Sequence, residues 1–308
     1  MKFLQYLLIP ILAVVGSPAP AKGKSKYVAP WQTLPPTPSL PKPYWSGTAP
    51  INGIKLWHAL FGRPLSQCKD GAVPVVFLHG GFANSDYFGH QIRHLAESSL
   101  SYSIVAVDTR GHGRSTDDLS RPLSYDLIAE DTIALMDHLK VKKFAVVGWS
   151  DGACTGFNLA MNYTERVDRV FSFGGTYSYT NVNETIGDSP VFTKYLDRVK
   201  VEYEHVSPTP QGYATFEERM GAMWSVEPVW RAESFQKIPS LFDNRDAPLM
   251  WIVDGDSEEA CKRDVPRTLF DWIWGSAMVL LPSTSHFAFL QDPDTFNAVL
   301  DRFLATHR

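Results

Sequence analysis

Residues 144–152 read FAVVGWSDG and join an apolar run to the pattern G-x-S-x-G. The first five residues are small, β-branched or aromatic, which is typical of a strand buried on both faces. After Gly152, apolar or small residues recur at positions 153, 156, 157, 160 and 161, as they would on one face of a helix. The stretch therefore predicts a strand, a sharp turn at Ser150 and a helix.

A turn of this kind holds its serine in a strained backbone conformation, and the flanking Gly148 and Gly152 leave room for the neighbouring strand and helix. It would present the Ser150 hydroxyl above the carboxyl end of the sheet, beside the N–H groups that begin the helix. The pentapeptide alone is weak evidence. Its position between a strand and a helix makes Ser150 the candidate nucleophile.

Similar apolar runs recur along the chain and alternate with segments of helical spacing. They are residues 74–79, 103–108, 169–174, 248–255 and 277–282. Residues 124–140 have helical spacing, and Asp292-Pro293 would begin a final helix with an N-cap and a proline in its first turn. Asn52-Gly53 predicts an antiparallel hairpin ahead of the other strands. The pattern indicates a mostly parallel sheet covered by helices.

One interval, at about residues 176–239, breaks this alternation. It contains helical pieces rich in aromatic residues and methionine, and no run that resembles a buried strand. About sixty residues is too long for an ordinary connection between elements. We predict a helical cap inserted after the fourth parallel strand, and the alternative is that these residues only extend the core.

A serine nucleophile needs a base to take its proton and a carboxylate to orient that base. Among the nine histidines, His286 lies in STSHFAF, between the last predicted strand and the last helix, and is the candidate base. The acid is ambiguous, because Asp254, Asp256, Glu258 and Glu259 crowd the string VDGDSEEA. A residue at the strand end points into the sheet, whereas one a few positions into the loop can reach across to the histidine.

These motifs together resemble the α/β hydrolase superfamily, specifically its cap-bearing branch. The resemblance rests on HGGF (79–82), DTRGHGRS (108–115), the serine turn, the late acid and the histidine in that chain order, and covers roughly residues 50–308. It implies one hydrolase domain over 50–308, with the cap at about 176–239. The implied fold is an eight-stranded, mostly parallel α/β-hydrolase sheet with an N-terminal antiparallel hairpin and an inserted helical cap.

The resemblance also implies which acid is used. In this family the acid usually lies three residues after the glycine that ends the strand, which is Gly255 in this chain. The matching residue is Glu258, where the family usually has Asp. Because glutamate is longer by one methylene, Asp256 stays as the alternative.

An oxyanion hole is implied by the same resemblance. Its donors would be the N–H groups of Asp151 and Gly81, with Phe82 as the alternative to Gly81. Phe82, Trp149 and Trp224 are predicted to contact the substrate. The motif DTRGHGRS is predicted to be a structural loop, since nothing in it completes a second catalytic set.

The resemblance implies hydrolysis of a carboxylic ester, lactone or thioester through an acyl enzyme, with no cofactor and no metal. Carbon-carbon bond hydrolases of this fold keep the same serine and histidine and stay open. GWSDG also resembles amino-acid ester hydrolases, in which Asp151 would hold the substrate's amino group; otherwise its side chain is solvated. A receptor-like binding protein is the non-enzymatic alternative. The aromatic cap indicates an apolar or aromatic small-molecule substrate.

The N-terminus predicts export. Residues 1–21 have one lysine, an apolar run too short for stable membrane insertion, and the small residues Ala19 and Ala21 before a cleavage site, which is typical of a secretory signal peptide. A proline-rich arm would follow over residues 22–49, extended and outside the core. The net charge of -4 in 308 residues gives no reason to expect nucleic acid as a partner.

Secretion makes the Asn-x-Thr sequences at Asn162 and Asn183 possible glycosylation acceptors, so we predict a secreted glycoprotein. The chain has three cysteines, Cys68, Cys154 and Cys261. We predict no disulfide between Cys68 and Cys261, because they precede the first parallel strand and follow a late one, at opposite edges of the sheet.

Overall fold

The computed structural model describes residues 27–68 and 73–306. The predicted signal peptide lies outside the described residues. Within the described part of the chain, no helix is long and apolar enough to cross a membrane.

One sheet contains eight strands, and each apolar run of the sequence forms one of them. The strands are β1 Trp45–Ile51, β2 Ile54–Gly62, β3 Val75–Leu78, β4 Ser103–Val107, β5 Phe144–Trp149, β6 Val167–Phe173, β7 Leu249–Gly255 and β8 Ala277–Leu281. Their order is β1-β2-β4-β3-β5-β6-β7-β8. The two pairings made by β2 are antiparallel and all others are parallel. The predicted fold class is confirmed.

The hairpin between β1 and β2 turns at Asn52 and Gly53, as predicted. Their φ angles are +44° and +84°. Both central residues of this two-residue turn need positive φ, which asparagine and glycine tolerate best.

Helices cover both faces of the sheet, and further helices lie between β6 and β7. In chain order the helices are α1 Gly89–Glu97, α2 Tyr125–His138, α3 Asp151–Asn162, α4 Pro190–Val206, α5 Tyr213–Trp224, α6 Ala232–Phe235, α7 Val265–Trp272, α8 Ala288–Gln291 and α9 Pro293–Ala305. The predicted N-cap of α9 is present, since the Asp292 carboxylate accepts the N–H of Thr295 at 3.1 Å.

Alternate residues of the central strands point to opposite faces of the sheet and so supply two cores. Phe77, Val147 and Phe171 pack on one face with residues of α1 and α9. Their chain neighbours, among them Val76 and Val146, pack on the other face with residues of α2, α3 and α7. Burial on both faces explains why these strands are continuous apolar runs.

Helices α4, α5 and α6 lie in the chain between β6 and β7, where the insertion is predicted, and we keep the name cap for residues 176–239. One stripe of α4, at Val191, Tyr195, Val199 and Tyr203, is buried at the four-residue spacing of a single helix face. This stripe belongs to the same apolar cluster as Phe82, in the loop after β3. The cap therefore packs onto the loops at the carboxyl ends of the strands.

The proline-rich arm is predicted to lie outside the core, and this prediction is wrong for part of it. Leu34 is 4% exposed and joins the main apolar cluster. Arg198 of α4 donates to the carbonyls of Leu34 and Pro35 at 3.1 and 2.6 Å, and Gln291 donates to that of Thr33 at 2.8 Å. Side chains distant in sequence thus satisfy the arm's backbone, which allows it to lie against the cap.

The loop DTRGHGRS is tied to the fold by a buried ion pair. Arg110 donates through two nitrogens to Asp131 of α2, each at 2.8 Å, and both side chains are at most 3% exposed. Asn52 of the hairpin turn donates to the same carboxylate at 2.9 Å. These contacts join the loop, the hairpin and α2, which supports the structural role predicted for the motif.

We expect Arg110→Ala to lower the free energy of unfolding by about 3–5 kcal/mol, because it leaves the Asp131 carboxylate buried without its partner. Urea denaturation measures the loss. The control is Arg121→Ala, since Arg121 pairs with Glu130 at 3.4 Å with both side chains exposed, and about 0–1 kcal/mol is expected. Equal small losses of stability in the two variants would contradict a structural role for the buried pair of Arg110 and Asp131.

Candidate active site

Ser150 occupies the sharp turn between β5 and α3. Its φ is +55° and its ψ is −115°, a strained conformation for a residue other than glycine. A Cβ atom on Gly148 would lie 2.3 Å from the Gly152 carbonyl oxygen, and one on Gly152 would lie 1.9 Å from that of Leu78. Both flanking glycines are therefore required, as the sequence predicts.

His286 follows β8 and contacts Glu258. The Nδ1 atom of His286 lies 2.9 Å from the Glu258 carboxylate, and both side chains are almost fully buried. The same carboxylate accepts the N–H groups of Ala260 and Cys261 at 2.6 and 3.2 Å. Asp256, the alternative acid, instead accepts the Ser257 hydroxyl in the turn at 3.1 Å. The structure thus brings Glu258, and not Asp256, to the histidine.

Asp254 lies buried beside Glu258. Burial raises the pKa of both carboxyl groups, and the neighbouring carboxylate raises the pKa of Asp254 further. Two adjacent carboxylates cannot both be ionised in so buried a place, so one keeps a proton. Glu258 receives three N–H donors, counting Nδ1–H of His286, and these favour its charged form. We therefore assign the proton to Asp254 and the charge to Glu258.

Burial also lowers the pKa of His286, so its ring is neutral near pH 7. With Nδ1–H donating to Glu258, Nε2 is the nitrogen left to accept a proton. Glu259 holds the loop of this histidine. Its carboxylate accepts the His286 backbone N–H at 2.9 Å and the Ser285 hydroxyl at 3.1 Å. The sequence does not single out Glu259, because no local pattern marks an acceptor for a backbone group 27 residues away.

A cavity of about 520 Å³ lies between the sheet and the cap and is lined by both Ser150 and His286. The three residues predicted to contact substrate, Phe82, Trp149 and Trp224, also line it. Most of the Trp149 ring is in the core, stacked on Tyr87 at 5.6 Å, and only 1% of this residue is exposed. Phe82 and Trp224 pack edge to face at 4.9 Å and join the loop after β3 to α5.

The backbone N–H groups proposed for an oxyanion hole border the same cavity. The Asp151 N–H is the first of helix α3. The N–H groups of Gly81 and Phe82 belong to a turn, which is closed by a hydrogen bond of 3.2 Å from the Ala83 N–H to the Gly80 carbonyl. Among residues 27–68 and 73–306, these three N–H groups have no hydrogen-bond acceptor. They are available to a ligand, and both alternatives for the second donor, Gly81 and Phe82, meet this condition.

The Asp151 side chain is half-buried in the cavity wall, where two side chains donate to it. Its carboxylate accepts the Tyr125 hydroxyl at 2.7 Å and Trp224 Nε1–H at 3.0 Å. Burial raises its pKa to about 6. In the described part of the chain no lysine or arginine pairs with it. An acidic group therefore borders the cavity beside Ser150, as do Glu217 and Glu227 elsewhere in the lining. Sequence reasoning missed the partner of Asp151, Tyr125, which lies 26 residues away.

Cys68, Cys154 and Cys261 are free thiols. Cys68 contacts the Ser103 hydroxyl at 3.1 Å, while Cys154 and Cys261 are buried near the cavity.

Comparison with known proteins agrees with this fold. Residues 73–199 match the family described as alpha/beta hydrolase fold. Human "Serine hydrolase BPHL" is 26% identical over 270 residues, which are 84% of this chain and 86% of that protein. "3-oxoadipate enol-lactonase 2" of Acinetobacter baylyi is 28% identical over 131 residues, or 42% of this chain and 45% of that protein.

Solved structures share the fold at low sequence identity. The meta-cleavage product hydrolase of Pseudomonas fluorescens IP01 has a TM-score of 0.66 and 18% identity, over 85% of this chain and 97% of that one. The enol-lactonase of Burkholderia xenovorans LB400 has a TM-score of 0.62 and 19% identity, over 84% of this chain and 100% of that one. The chain thus has the α/β hydrolase fold, and the relatives named are hydrolases.

Proposed function

We propose that this chain is a serine hydrolase that cleaves a carboxylic ester, lactone or thioester through an acyl enzyme. One observation carries the proposal: the buried contact of 2.9 Å between His286 and Glu258 borders the cavity into which the strained turn presents Ser150. The proposed nucleophile, base and acid come from three separate loops at one edge of the sheet, as this mechanism requires.

In the proposed mechanism, Ser150 Oγ attacks the carbonyl carbon while His286 Nε2 takes the hydroxyl proton. Glu258 stabilises the imidazolium, and the N–H groups of Asp151 and of Gly81 or Phe82 bind the oxyanion. His286 then protonates the leaving group, and the acyl enzyme forms. A water molecule, deprotonated by His286, attacks the acyl carbon and releases the acid and Ser150.

The Ser150 hydroxyl makes no hydrogen bond within the described residues, so its side chain can turn toward His286 when substrate binds. Such catalytic hydrogen bonds often form fully only in the substrate complex.

Fluorophosphonate labelling, followed by peptide mass spectrometry, tests the proposal together with turnover of short p-nitrophenyl esters. We expect label on Ser150 and loss of turnover in step with labelling. Tight binding of ester ligands without turnover would favour the receptor-like alternative. Hydrolysis of carbon-carbon bonds in vinylogous diketones, with none of esters, would favour the carbon-carbon hydrolase.

A second candidate function is the hydrolysis of esters whose acyl group carries an amine, and the Asp151 side chain favours it. This carboxylate is half-buried next to Ser150 and borders the cavity, and among the described residues its side-chain partners are the neutral donors Tyr125 and Trp224. A substrate ammonium group would supply the missing positive charge.

We expect Asp151→Asn to lower kcat/KM for an alanine p-nitrophenyl ester by about 100-fold, the loss of one buried charge partner. For p-nitrophenyl acetate, which has no amine, we expect less than about a threefold change. Asparagine keeps the backbone N–H and a similar shape. Equal losses on the two esters would contradict an amine site.

The same site predicts a pH dependence. The Asp151 carboxyl is charged above its pKa of about 6. The preference for the amine-bearing ester should therefore be complete above that pH and decline as the pH falls through about 6. In Asp151→Asn the preference should be small at every pH.

We also propose that the protein is exported, with residues 1–21 removed and Lys22 first in the mature chain. N-terminal sequencing of the protein made by its natural host tests this, and a cell-retained chain that still begins at Met1 would overturn it. Of the two glycosylation acceptors we favour Asn162, which is exposed. The Asn183 amide donates to two carbonyls, those of Glu259 and Cys261, at 3.1 and 2.9 Å, and a glycan would replace one of these hydrogens. The Asn162 amide donates once, to Asn158 at 3.1 Å, and a glycosylated amide keeps one N–H for that bond.

A further inference from the structure

Tyr195 of the cap helix α4 reaches the loop that follows β3. Its hydroxyl donates to the carbonyl oxygen of Gly81 at 2.5 Å, across 114 residues of sequence, and the side chain is buried. The ring is held by Phe287, Tyr87 and Trp149, whose ring centroids lie 5.0, 5.7 and 5.8 Å away. The position of this hydroxyl is therefore fixed by packing on several sides.

The Gly81 carbonyl and the Phe82 N–H belong to one peptide unit. In a trans peptide these two groups point in opposite directions. A bond that fixes the carbonyl toward Tyr195 therefore fixes the Phe82 N–H away from Tyr195. Both residues line the cavity with Ser150. The hydrogen bond from the Tyr195 hydroxyl thus fixes the orientation of the peptide between Gly81 and Phe82, including the direction of the Phe82 N–H.

This peptide is strained and would otherwise relax. Phe82 has a φ of +65°, although it is not glycine. Holding a residue other than glycine at positive φ costs free energy, and a flip of the peptide between Gly81 and Phe82 would convert the turn to a form with negative φ at Phe82. The flip would exchange the directions of carbonyl and N–H. A hydrogen bond to the Gly81 carbonyl opposes it.

We propose that Tyr195 is a positioning residue that holds the peptide between Gly81 and Phe82, and with it the turn that supplies the second oxyanion donor, in its strained form. The inference rests on the proposed serine hydrolase function and adds that the donor depends on the cap. Burial raises the pKa of Tyr195 well above its usual value, so the hydroxyl stays a donor across the working pH range.

The test compares Tyr195→Phe with Tyr203→Phe. Tyr203 lies on the same buried stripe of α4, and its hydroxyl contacts Thr209 at 3.1 Å, far along the chain from the turn. We expect Tyr195→Phe to lower kcat for p-nitrophenyl acetate about 10- to 100-fold, with KM within about twofold, since removal of a whole donor costs about 10²- to 10³-fold. Tyr203→Phe should keep kcat within about twofold.

A trifluoromethyl ketone separates oxyanion binding from general packing. Ser150 adds to its carbonyl carbon, the serine proton passes to His286, and the adduct carries an oxyanion. We expect Tyr195→Phe to weaken this inhibitor by the same factor as kcat, while the affinity of the matching secondary alcohol, which forms no oxyanion, is unchanged. Equal weakening of both ligands would assign Tyr195 a merely structural role and overturn the proposal.

A second background tests the strain argument and does not depend on how well one variant folds. Glycine tolerates positive φ without strain, so Phe82→Gly should hold the turn without help. In that background, Tyr195→Phe should lower kcat by less than about threefold. An equal loss in both backgrounds would overturn the role of Tyr195. A wild-type protein that neither turns over esters nor labels at Ser150 would instead overturn the proposed function, and this inference with it.

Discussion

Ser150→Ala is expected to lower kcat for p-nitrophenyl acetate by about 10⁵- to 10⁶-fold, the scale seen when a serine hydrolase loses its nucleophile. The loss is large because no other hydroxyl stands on the turn between β5 and α3, and the remaining oxyanion donors would act only on attack by water. Initial rates and active-site titration of the purified variant measure it.

The fold of Ser150→Ala should survive, because alanine occupies the same strained φ without adding atoms to the turn. Circular dichroism spectra that match the wild type establish this. The control is Ser225→Ala, in the cap, where the hydroxyl bonds only the Ala222 carbonyl at 2.7 Å, and its rate should stay within about twofold of wild type. Wild-type turnover in a clean preparation of Ser150→Ala would refute the proposed nucleophile.

Local sequence patterns predict the sheet and the serine turn well, because the forces that decide them act over a few residues. The buried strand β5 differs from its predicted range by one residue, at Trp149. Residues 148 and 152 must be glycine because a Cβ atom at either position would clash with backbone atoms of the turn or of β3. The sequence therefore shows this requirement directly as the two glycines.

Contacts between distant segments could not be predicted in this way. The hydrogen bond from Tyr195 to Gly81 and those from Arg198 to the arm join residues more than 100 positions apart. A tyrosine or an arginine on a helix has the same local pattern whether its polar end meets water or a carbonyl. For the same reason the sequence could not tell that the Asp151 carboxylate accepts hydrogen bonds from Tyr125 and Trp224, or that Leu34 enters the core.

The identity of the acid is an intermediate case. The loop VDGDSEEA narrows the choice, but the acid depends on the path of the loop toward His286, which only the fold provides. In the structure, Glu258 lies against the ring, Glu259 holds the backbone of His286, and Asp256 stays in the turn. Three neighbouring acidic residues therefore have three different sets of contacts, and each can be tested separately.

Glu258→Gln is expected to lower kcat about 10⁴-fold, because a neutral amide neither stabilises the imidazolium nor fixes the Nδ1–H tautomer of His286. Glu258→Asp keeps the charge but withdraws it by one methylene, and a displacement of this size costs about 100-fold. Initial rates with p-nitrophenyl acetate, measured from pH 5 to 9, give both values.

Two neighbours provide controls for Glu258→Gln. Asp256→Asn should keep kcat within about threefold, since Asp256 does not reach the histidine. Glu259→Gln keeps an acceptor for the His286 N–H but removes a negative charge that raises the pKa of that ring. The neutral base would then persist to lower pH, so the acid limb of kcat/KM should move to lower pH than in the wild type.

The order of these effects distinguishes the acid from a residue that only supports the loop. If Glu258 orients the base, glutamine at position 258 should be far more damaging than glutamine at 259, although the two changes are chemically identical and adjacent. A loss in Asp256→Asn as large as that in Glu258→Gln would mean that the loop rearranges when substrate binds and brings Asp256 to the ring. Because Glu258 already accepts two backbone N–H groups besides the histidine, such an exchange would break three hydrogen bonds, and we expect Glu258 to keep its place.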